Sequence, residues 1–174
     1  MKKNTLFLAL LISLMATAQQ DSIPIPMKNG IVFYEKADTI NFKGKKEQAA
    51  VRALQWFGKS FGSVQDGLKV ADVKKGDIEG TGIFKVPVSE SGNYFWVQMQ
   101  VKITVQENGY LFQAFDYYEK PIEKGVSNEY SKIECRWRDF RKGKPWSSED
   151  QKLFEGIHSN TLAIMNSLKK EMNK

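Results

Sequence analysis

The stretch YFWVQMQVKITVQ, residues 94–106, alternates between two kinds of side chain without a break. One set of alternate positions is apolar throughout: Phe95, Val97, Met99, Val101, Ile103 and Val105. The other set is aromatic, amide-bearing or polar: Tyr94, Trp96, Gln98, Gln100, Lys102, Thr104 and Gln106. Successive side chains of a strand point to opposite faces of a sheet. The pattern therefore predicts a long antiparallel strand with one buried face, around which the rest of the chain must fold.

The dipeptide Asn108-Gly109 follows this strand, and YLFQAFDYY, residues 110–118, comes next. Asn-Gly is the strongest short signal for a two-residue hairpin turn, so we expect the second stretch to return as a neighbouring strand. The face opposite the apolar row then presents six candidate ligand-binding residues: Tyr94, Trp96, Gln98, Gln100, Phe115 and Tyr117.

Aromatic and amide side chains on an open face suit a sugar, a peptide or another protein, since an exposed apolar patch usually marks an interaction site. Two alternatives remain open. Other segments of the chain could cover this face, or a one-residue bulge could turn Phe115 and Tyr117 into the core.

The other apolar patterns predict a single α+β domain over residues 30–174. Residues 31–40 are rich in β-formers and predict a first strand, and residues 83–88 predict another. Between them, apolar residues at helical spacing predict a helix over residues 44–61 that stops at Gly62.

The clearest helix closes the chain. Ser147 or Ser148 can cap its first turn. One face is apolar at spacings of three and four, through Leu153, Phe154, Ile157, Thr161, Ile164, Met165 and Leu168. We expect this face to pack across the sheet.

The first residues have the pattern of a secretory signal peptide over residues 1–18. Lys2 and Lys3 precede an apolar run that ends in an Ala-Thr-Ala cleavage site. The run is too short for a membrane span, which needs about 20 apolar residues, and it contains no cysteine for a lipid anchor. We expect cleavage before Gln19, an extended lead-in over residues 19–29, and a periplasmic or secreted protein with no transmembrane segment after cleavage.

The charge of the exported chain argues against a nucleic-acid partner. Removing residues 1–18 takes away two of the 26 basic residues and none of the 20 acidic ones, so the net charge becomes 24 − 20 = +4. Nucleic-acid-binding domains usually carry a concentrated basic face. A small positive excess fits an acidic glycan, anionic lipid headgroups or an acidic protein equally well.

The stretch SKIECRWR, residues 131–138, alternates as well and predicts a half-buried edge strand. Cys135, the single cysteine of the chain, would then be a small buried residue, and a disulfide between two chains is the alternative. A candidate basic edge consists of Arg136, Arg138 and Arg141. Besides discouraging sheet pairing, this edge could bind an acidic protein or glycan, or join copies of the chain.

No residue pattern indicates catalysis, a metal site or a cofactor. His158 is the only histidine, so neither a zinc site nor a Ser–His–Asp arrangement has its usual residues. Asp116 is of interest because the two-residue turn would place it opposite Val101, pointing inward. Buried carboxylates can have a perturbed pKa, although a hydrogen-bonded structural role is the simpler interpretation. An enzyme that uses carboxylates remains the alternative to a binding protein.

The signal segment, the strand IVFYEKADTI, the helix KKEQAAVRALQWF, the long hairpin and the closing helix together resemble a family of secreted bacterial proteins. That family is a domain of unknown function with a TATA-binding-protein-like (TBP-like) fold, and the resemblance covers about residues 30–171. It implies one β-α-β(4)-α unit, in which a curved antiparallel sheet carries both helices on one face. SKIECRWR is one strand too many for this unit.

The resemblance implies no functional residues, because the family has no established activity. The TATA-binding protein grips DNA with two such repeats, whereas this chain has one repeat and an export signal, so DNA binding does not follow from the fold. What the resemblance implies is a concave sheet face open to a partner, which a homodimer could complete. We therefore expect an exported, non-enzymatic module that binds a protein, peptide or glycan of the cell envelope; an oligomerising structural protein is a further alternative.

Overall fold

The computed structural model describes residues 25–41, 44–62, 67–122, 129–141 and 147–174, without the side chains of 139–141. The predicted signal peptide and the cleavage site before Gln19 lie outside the described residues. So does the basic loop 142–146.

The strands of the described ranges are β1 (Met27–Lys28), β2 (Ile31–Val32), β3 (Tyr34–Thr39), β4 (Leu68–Asp72), β5 (Asp77–Pro87), β6 (Tyr94–Gln106), β7 (Gly109–Ile122) and β8 (Ser131–Lys132). β1 and β2 form a small separate hairpin. The other strands form an antiparallel sheet in the order β3-β7-β6-β5-β4, with β8 paired to β7. The alternating stretch is thus the central strand, β6, as its pattern predicts.

The helices are α1 (Lys46–Phe61), α2 (Ile133–Arg141) and α3 (Ser148–Met172). α1 ends where predicted, at Gly62, whose φ of +86° suits a glycine. α3 begins with a capping box, in which Ser147 Oγ accepts a hydrogen bond from the backbone N–H of Asp150 at 3.0 Å. Both predicted helices are confirmed.

The core lies between the sheet and the helices. Every member of the apolar row of β6 is buried, with at most 6% of its surface exposed. Two glycines let helices approach the sheet closely. A Cβ on Gly80 would lie 2.6 Å from the ring of Phe57 in α1, and a Cβ on Gly156 of α3 would overlap Val86. Because α1 and α3 both contact this side of β5, they occupy the same face of the sheet.

The order of elements, β3-α1-β4-β5-β6-β7-α3, is a β-α-β(4)-α unit, and the predicted α+β class is confirmed. The β1–β2 hairpin, β8 and α2 are additions to this unit. The end of the expected lead-in is part of the domain, because Ile25 is buried and Met27–Lys28 pairs with β2.

The structure corrects the predicted β6–β7 turn. Gln106 pairs with Gly109, so the loop residues are Glu107 and Asn108 rather than Asn108 and Gly109. An Asn-Gly turn of the predicted kind needs a positive φ at both residues, and neither Asn108 nor Gly109 has one. The strand register differs from the prediction by two positions. An even shift leaves each residue near the turn on its predicted face.

A bulge in β7 changes the faces further along the hairpin. The pairing shifts between Gln98 and Gln100, and opposite this shift Asp116 adopts a φ of +51°. Phe115 stays on the face away from the helices, whereas Tyr117 turns into the core and is fully buried. The prediction that Tyr117 lies on the open face is therefore wrong.

The predicted edge strand SKIECRWR is also wrong. Only Ser131–Lys132 pairs with β7, and the chain continues from Ile133 as α2. Ile133 and Trp137 are four residues apart, a spacing that places both on one side of a helix as well as of a strand. Cys135 lies between them on the solvent side and is exposed, contrary to the expected burial. None of the helices in the described ranges is both long and apolar enough to cross a membrane.

Candidate functional site: the open sheet face

The face of the sheet opposite α1 and α3, here called the open face, carries side chains from β5, β6 and β7 in rows across the strands. One row is Lys85, Trp96 and Lys120; the next is Ile83, Gln98 and Tyr118; the third is Thr81, Gln100 and Phe115. No described helix packs against these rows. The segment before β3 does cover part of the third row, where Phe33 stacks on Phe115. The alternative that other segments cover this face thus applies to part of it.

What we call the Trp96 patch consists of the first row, Lys85, Trp96 and Lys120, together with Tyr94, two residues before Trp96 on β6. Trp96 is 37% exposed, a large fraction for a tryptophan, and Tyr94 meets it edge to face at 5.8 Å between ring centroids. Lys85 Nζ lies 3.8 Å from the centroid of the Tyr94 ring, which is cation–π geometry. On the other side of Trp96, Lys120 Nζ lies 5.5 Å from the ring of Tyr130. Aromatic rings thus contact the ammonium groups on both sides of Trp96.

Further along the face, Gln100 and Phe115 are less accessible than predicted. Gln100 is 9% exposed and donates from Nε2 to Thr81 Oγ1 at 3.1 Å. Phe115 stacks on Phe33 with 6.0 Å between ring centroids. These side chains form a closed floor beside the Trp96 patch, which is the more accessible part of the face.

The far end of the open face is polar and carries acids. Glu35 accepts a hydrogen bond from Gln113 Nε2 at 2.6 Å, and Asp77 accepts one from Thr104 Oγ1 at 3.2 Å. Glu79 sits opposite Lys102 in the strand register. This end therefore carries carboxylates together with Lys28 and Lys102, and the pair Lys85 and Lys120 lies at the other end.

Tyr117, the sixth predicted binding residue, serves the core. Its hydroxyl is hydrogen-bonded to Thr161 Oγ1 of α3 at 3.0 Å, and burial raises the pKa of Tyr117 above its ordinary value. The bulge puts Tyr118 on the open face instead. Sequence reasoning missed Tyr118, Lys85 and Lys120; the one available signal was Asp116, because aspartate tolerates a positive φ better than most residues.

Of the predicted basic edge, Arg136 is engaged within the fold. Arg136 donates to Glu119 Oε1 from Nη2 at 3.0 Å and to Asp150 Oδ1 from Nη1 at 2.6 Å, so it joins α2 to β7 and to the start of α3. Arg138 is exposed. The side chain of Arg141 lies outside the described residues.

The residues considered for catalysis have separate partners. Nδ1 of His158 is hydrogen-bonded to the hydroxyl of Tyr34 at 3.1 Å, on the helical side of the sheet. The side chain of Asp116 is 43% exposed and lies 3.9 Å from Lys132 Nζ, so the expectation that it points inward is wrong. Among the described residues, no three His, Cys, Asp or Glu side chains are grouped so that they could hold a metal ion.

Two open depressions lie elsewhere, at the end of the sheet where β3 finishes. Their volumes are about 630 and 550 Å³, and Asp38 and Thr39 line both. The first is bounded by the β6–β7 turn and the second by the last turns of α3. In the second, Lys169 Nζ lies 2.9 Å from Asp38 Oδ2. The depressions belong to the hairpin end of the molecule and not to the open face.

Two solved structures share this arrangement of strands and helices. A DUF4468 family protein from Bacteroides ovatus superposes with a TM-score of 0.69 at 16% sequence identity, covering 86% of this chain and 91% of that one. A TBP-like protein from Parabacteroides distasonis superposes with a TM-score of 0.59 at 17% identity, covering 83% and 97%. The chain has the TBP-like fold.

The resemblance inferred from the sequence is thus confirmed at the level of the fold. No family model matches the chain, and no curated protein matches its sequence significantly. At identities of 16% and 17%, the two structures carry the fold alone and indicate no specific function.

Proposed function

We propose that this TBP-like domain is exported and acts as a non-enzymatic binding module whose ligand surface is the open face. The observation that carries the proposal is the position of Trp96. A tryptophan that would gain free energy from burial is instead 37% exposed, near the start of the central strand and between two lysines. Exposed aromatic surface rimmed by polar groups is typical of interaction sites.

The alternatives have less support from the described residues. A carboxylate-dependent enzyme would use Asp116, which is exposed and paired with Lys132 at the bulge. Oligomerisation through the basic edge would have to do without Arg136, which is bound to Glu119 and Asp150 within the chain. At the Trp96 patch, by contrast, Lys85 and Lys120 form no ion pair with the described residues.

Export is the second part of the proposal, and it rests on the signal peptide pattern of residues 1–18. Expression of the full chain in a Gram-negative host, followed by osmotic release of the periplasm, would test it. We expect the released protein to begin at Gln19 by mass spectrometry. A chain retained in the cytoplasm with Met1 intact would contradict export and leave the binding surface to be tested separately.

Affinity capture tests the binding surface. Immobilised Gln19–Lys174 would be incubated with solubilised cell envelope beside two variants, Trp96→Ala and Leu162→Ala. Leu162 is a matched control because it is an exposed hydrophobic residue, 41% accessible, on α3 at the other side of the molecule. We expect material that the wild type and Leu162→Ala retain and Trp96→Ala loses. Equal retention by all three proteins would overturn the proposal.

A further inference from the structure

We propose that the Trp96 patch binds a polysaccharide that carries carboxylate groups, with a sugar ring on Trp96 and carboxylates on Lys85 and Lys120. This inference rests on the proposed function, because it names the ligand class of the same surface. It follows from the spacing of the lysines, from the exposed ring between them, and from the distribution of charge on the open face.

The two lysines form a regularly spaced pair. Trp96 is the register partner of Lys85 on β5 and of Lys120 on β7. Neighbouring strands lie about 4.8 Å apart, so the two lysine Cα atoms are about 10 Å apart across the sheet. Within the described part of the chain, neither lysine takes part in an ion pair. Each ammonium group lies over an aromatic ring, Lys85 over Tyr94 and Lys120 over Tyr130, and these contacts leave its charge without a carboxylate among the described residues. A ligand with repeated carboxylates can meet both at once.

The ring between the lysines suits a sugar. One face of a pyranose ring presents C–H groups, which pack on an aromatic ring, while its hydroxyls point outward to polar side chains. Trp96 supplies the ring, and Gln98 in the next row along β6 supplies an amide that both donates and accepts hydrogen bonds. Tyr94, edge-on to Trp96, supports the ring from the other side. A uronic acid combines the C–H face and the carboxylate in one residue.

The distribution of charge favours a narrow chain over a flat anionic membrane. Clusters of four to eight basic residues are the usual mark of binding to anionic lipid. Here the far end of the same face carries Glu35, Asp77 and Glu79, with Lys28 Nζ 4.0 Å from Glu35 and Lys102 opposite Glu79, so the face is not a cluster of basic residues. A lipid surface laid over the face would meet these acids together with the lysines, whereas a polysaccharide that crosses the strands at Trp96 would meet the lysines alone.

The position of the patch also favours a sugar over an acidic peptide. Peptides that add a strand to a sheet need an exposed edge. β6 is an interior strand, and the backbone of Trp96 is paired on both sides. In this row the edge of the sheet is β5, because β4 pairs only with residues 77–80 of that strand. A peptide strand added at this edge would lie beyond Lys85 and not over the Trp96 ring. Only side chains are available to a ligand at this position, and ring stacking with charge pairing uses only side chains.

The experiment measures binding of Gln19–Lys174 to polygalacturonate by isothermal titration, with chelator present so that divalent cations play no part. The matched probe is methyl-esterified polygalacturonate, which keeps the sugar rings and loses the charge. We expect binding to polygalacturonate that weakens as salt rises, and much weaker binding to the ester.

Three variants test the residues. Trp96→Ala and the pair Lys85→Gln/Lys120→Gln should each weaken binding about tenfold, the latter because two surface ion pairs together contribute about that factor. Lys102→Gln removes a lysine from the acidic end of the same face and should leave the affinity unchanged. Circular dichroism spectra equal to that of the wild type show that a variant is folded.

Several outcomes would overturn the inference. Equal binding of the ester would show that carboxylates are not recognised. Binding to phosphatidylglycerol vesicles or to polyglutamate in place of polygalacturonate would assign the lysines to a membrane or to an acidic protein. If polygalacturonate does not bind while Trp96→Ala still loses envelope material in the capture experiment, the ligand class is wrong and the binding surface stands. If both experiments give no dependence on Trp96, the proposed function fails as well.

Discussion

The guanidinium of Arg136 donates hydrogen bonds from Nε at 3.2 Å and from Nη2 at 3.0 Å to Oε1 of Glu119, a residue that is only 3% exposed. Ser131 Oγ donates to the same oxygen at 2.9 Å, and Arg136 Nη1 reaches Asp150 in the capping box of α3. Burial lowers the pKa of Arg136, but the carboxylates of Glu119 and Asp150 outweigh it and raise the pKa overall. This arginine therefore carries its charge at all ordinary pH values and fixes α2 and α3 against β7.

Replacing Arg136 should destabilise the fold strongly. Arg136→Met leaves the Glu119 carboxylate buried without its cation, which we expect to cost about 3 kcal/mol in the free energy of unfolding, measured by urea denaturation. Arg138→Gln is the control, since Arg138 is exposed on the same helix, and it should change stability by less than about 0.5 kcal/mol. Arg136→Met/Glu119→Leu should recover much of the loss. Similar midpoints for Arg136→Met and Arg138→Gln would show that the ion pair contributes little.

The role of Arg136 also shows where sequence reasoning ends. The fold confirms three predictions that rest on local signals: the alternating strand β6, the end of α1 at Gly62, and the cap of α3 at Ser147. The pattern of segment 131–138 is compatible with both a strand and a helix, because Ile133 and Trp137 lie on the same face of either element. The helix has a distant tertiary partner: Glu134 accepts a hydrogen bond from the backbone N–H of Val32 at 2.8 Å, across 102 residues of chain. No local pattern reports such a contact.

The same limit applies to the candidate site. Alternation predicted the open face of β6, so Trp96, Gln98 and Gln100 were found. Lys85 and Lys120 became part of the site only through the register, which pairs both with Trp96. The register of a long hairpin depends on the turn and on bulges, and one bulge was sufficient to exchange Tyr117 for Tyr118.

The bulge itself can be tested at Asp116. Its φ of +51° is in the left-handed region, which β-branched residues avoid. Asp116→Val should therefore cost about 1–2 kcal/mol of unfolding free energy, while Asp116→Gly should be close to neutral, because glycine adopts this conformation freely. Leu111→Val is a control on a regular part of β7. Equal stability of the valine and glycine variants at position 116 would contradict the bulged geometry.

The hydrogen bond between Tyr117 and Thr161 gives a double-mutant cycle. Tyr117→Phe leaves the Thr161 hydroxyl buried without this partner and should cost about 1–2 kcal/mol, and Thr161→Val should cost a similar amount. The double variant should lose less than the sum of the two, by about 1 kcal/mol, because no polar group is then left unpaired. Tyr118→Phe, on the open face, should be within about 0.5 kcal/mol of the wild type. Strict additivity of the two core substitutions would exclude the proposed coupling.

The pair formed by Asp38 and Lys169 should make stability depend on pH in the acid range. The hydrogen bond from Lys169 is the largest of the effects that lower the pKa of Asp38 below its ordinary value. A carboxyl whose pKa is lower in the folded state contributes stability above its unfolded-state pKa of about 3.9, and loses that stability as pH falls through the folded-state pKa. Lys169→Met should thus be less stable than the wild type at neutral pH, by at most about 1 kcal/mol because Lys169 is half-exposed.

The difference in unfolding free energy between the wild type and Lys169→Met, measured by urea denaturation across pH, should stay constant down to about pH 4. Below that pH it should decrease as Asp38 becomes protonated in the folded wild type. Lys170→Met is the matched control, because Lys170 is exposed one position along α3 and forms no ion pair within the described residues. Its stability difference from the wild type should not vary with pH in this window. If the stability difference between Lys169→Met and the wild type persisted unchanged to pH 2, the ion pair with Lys169 would not be the source of the lowered pKa of Asp38. Lys169 would then stabilise the end of α3 through its packing alone.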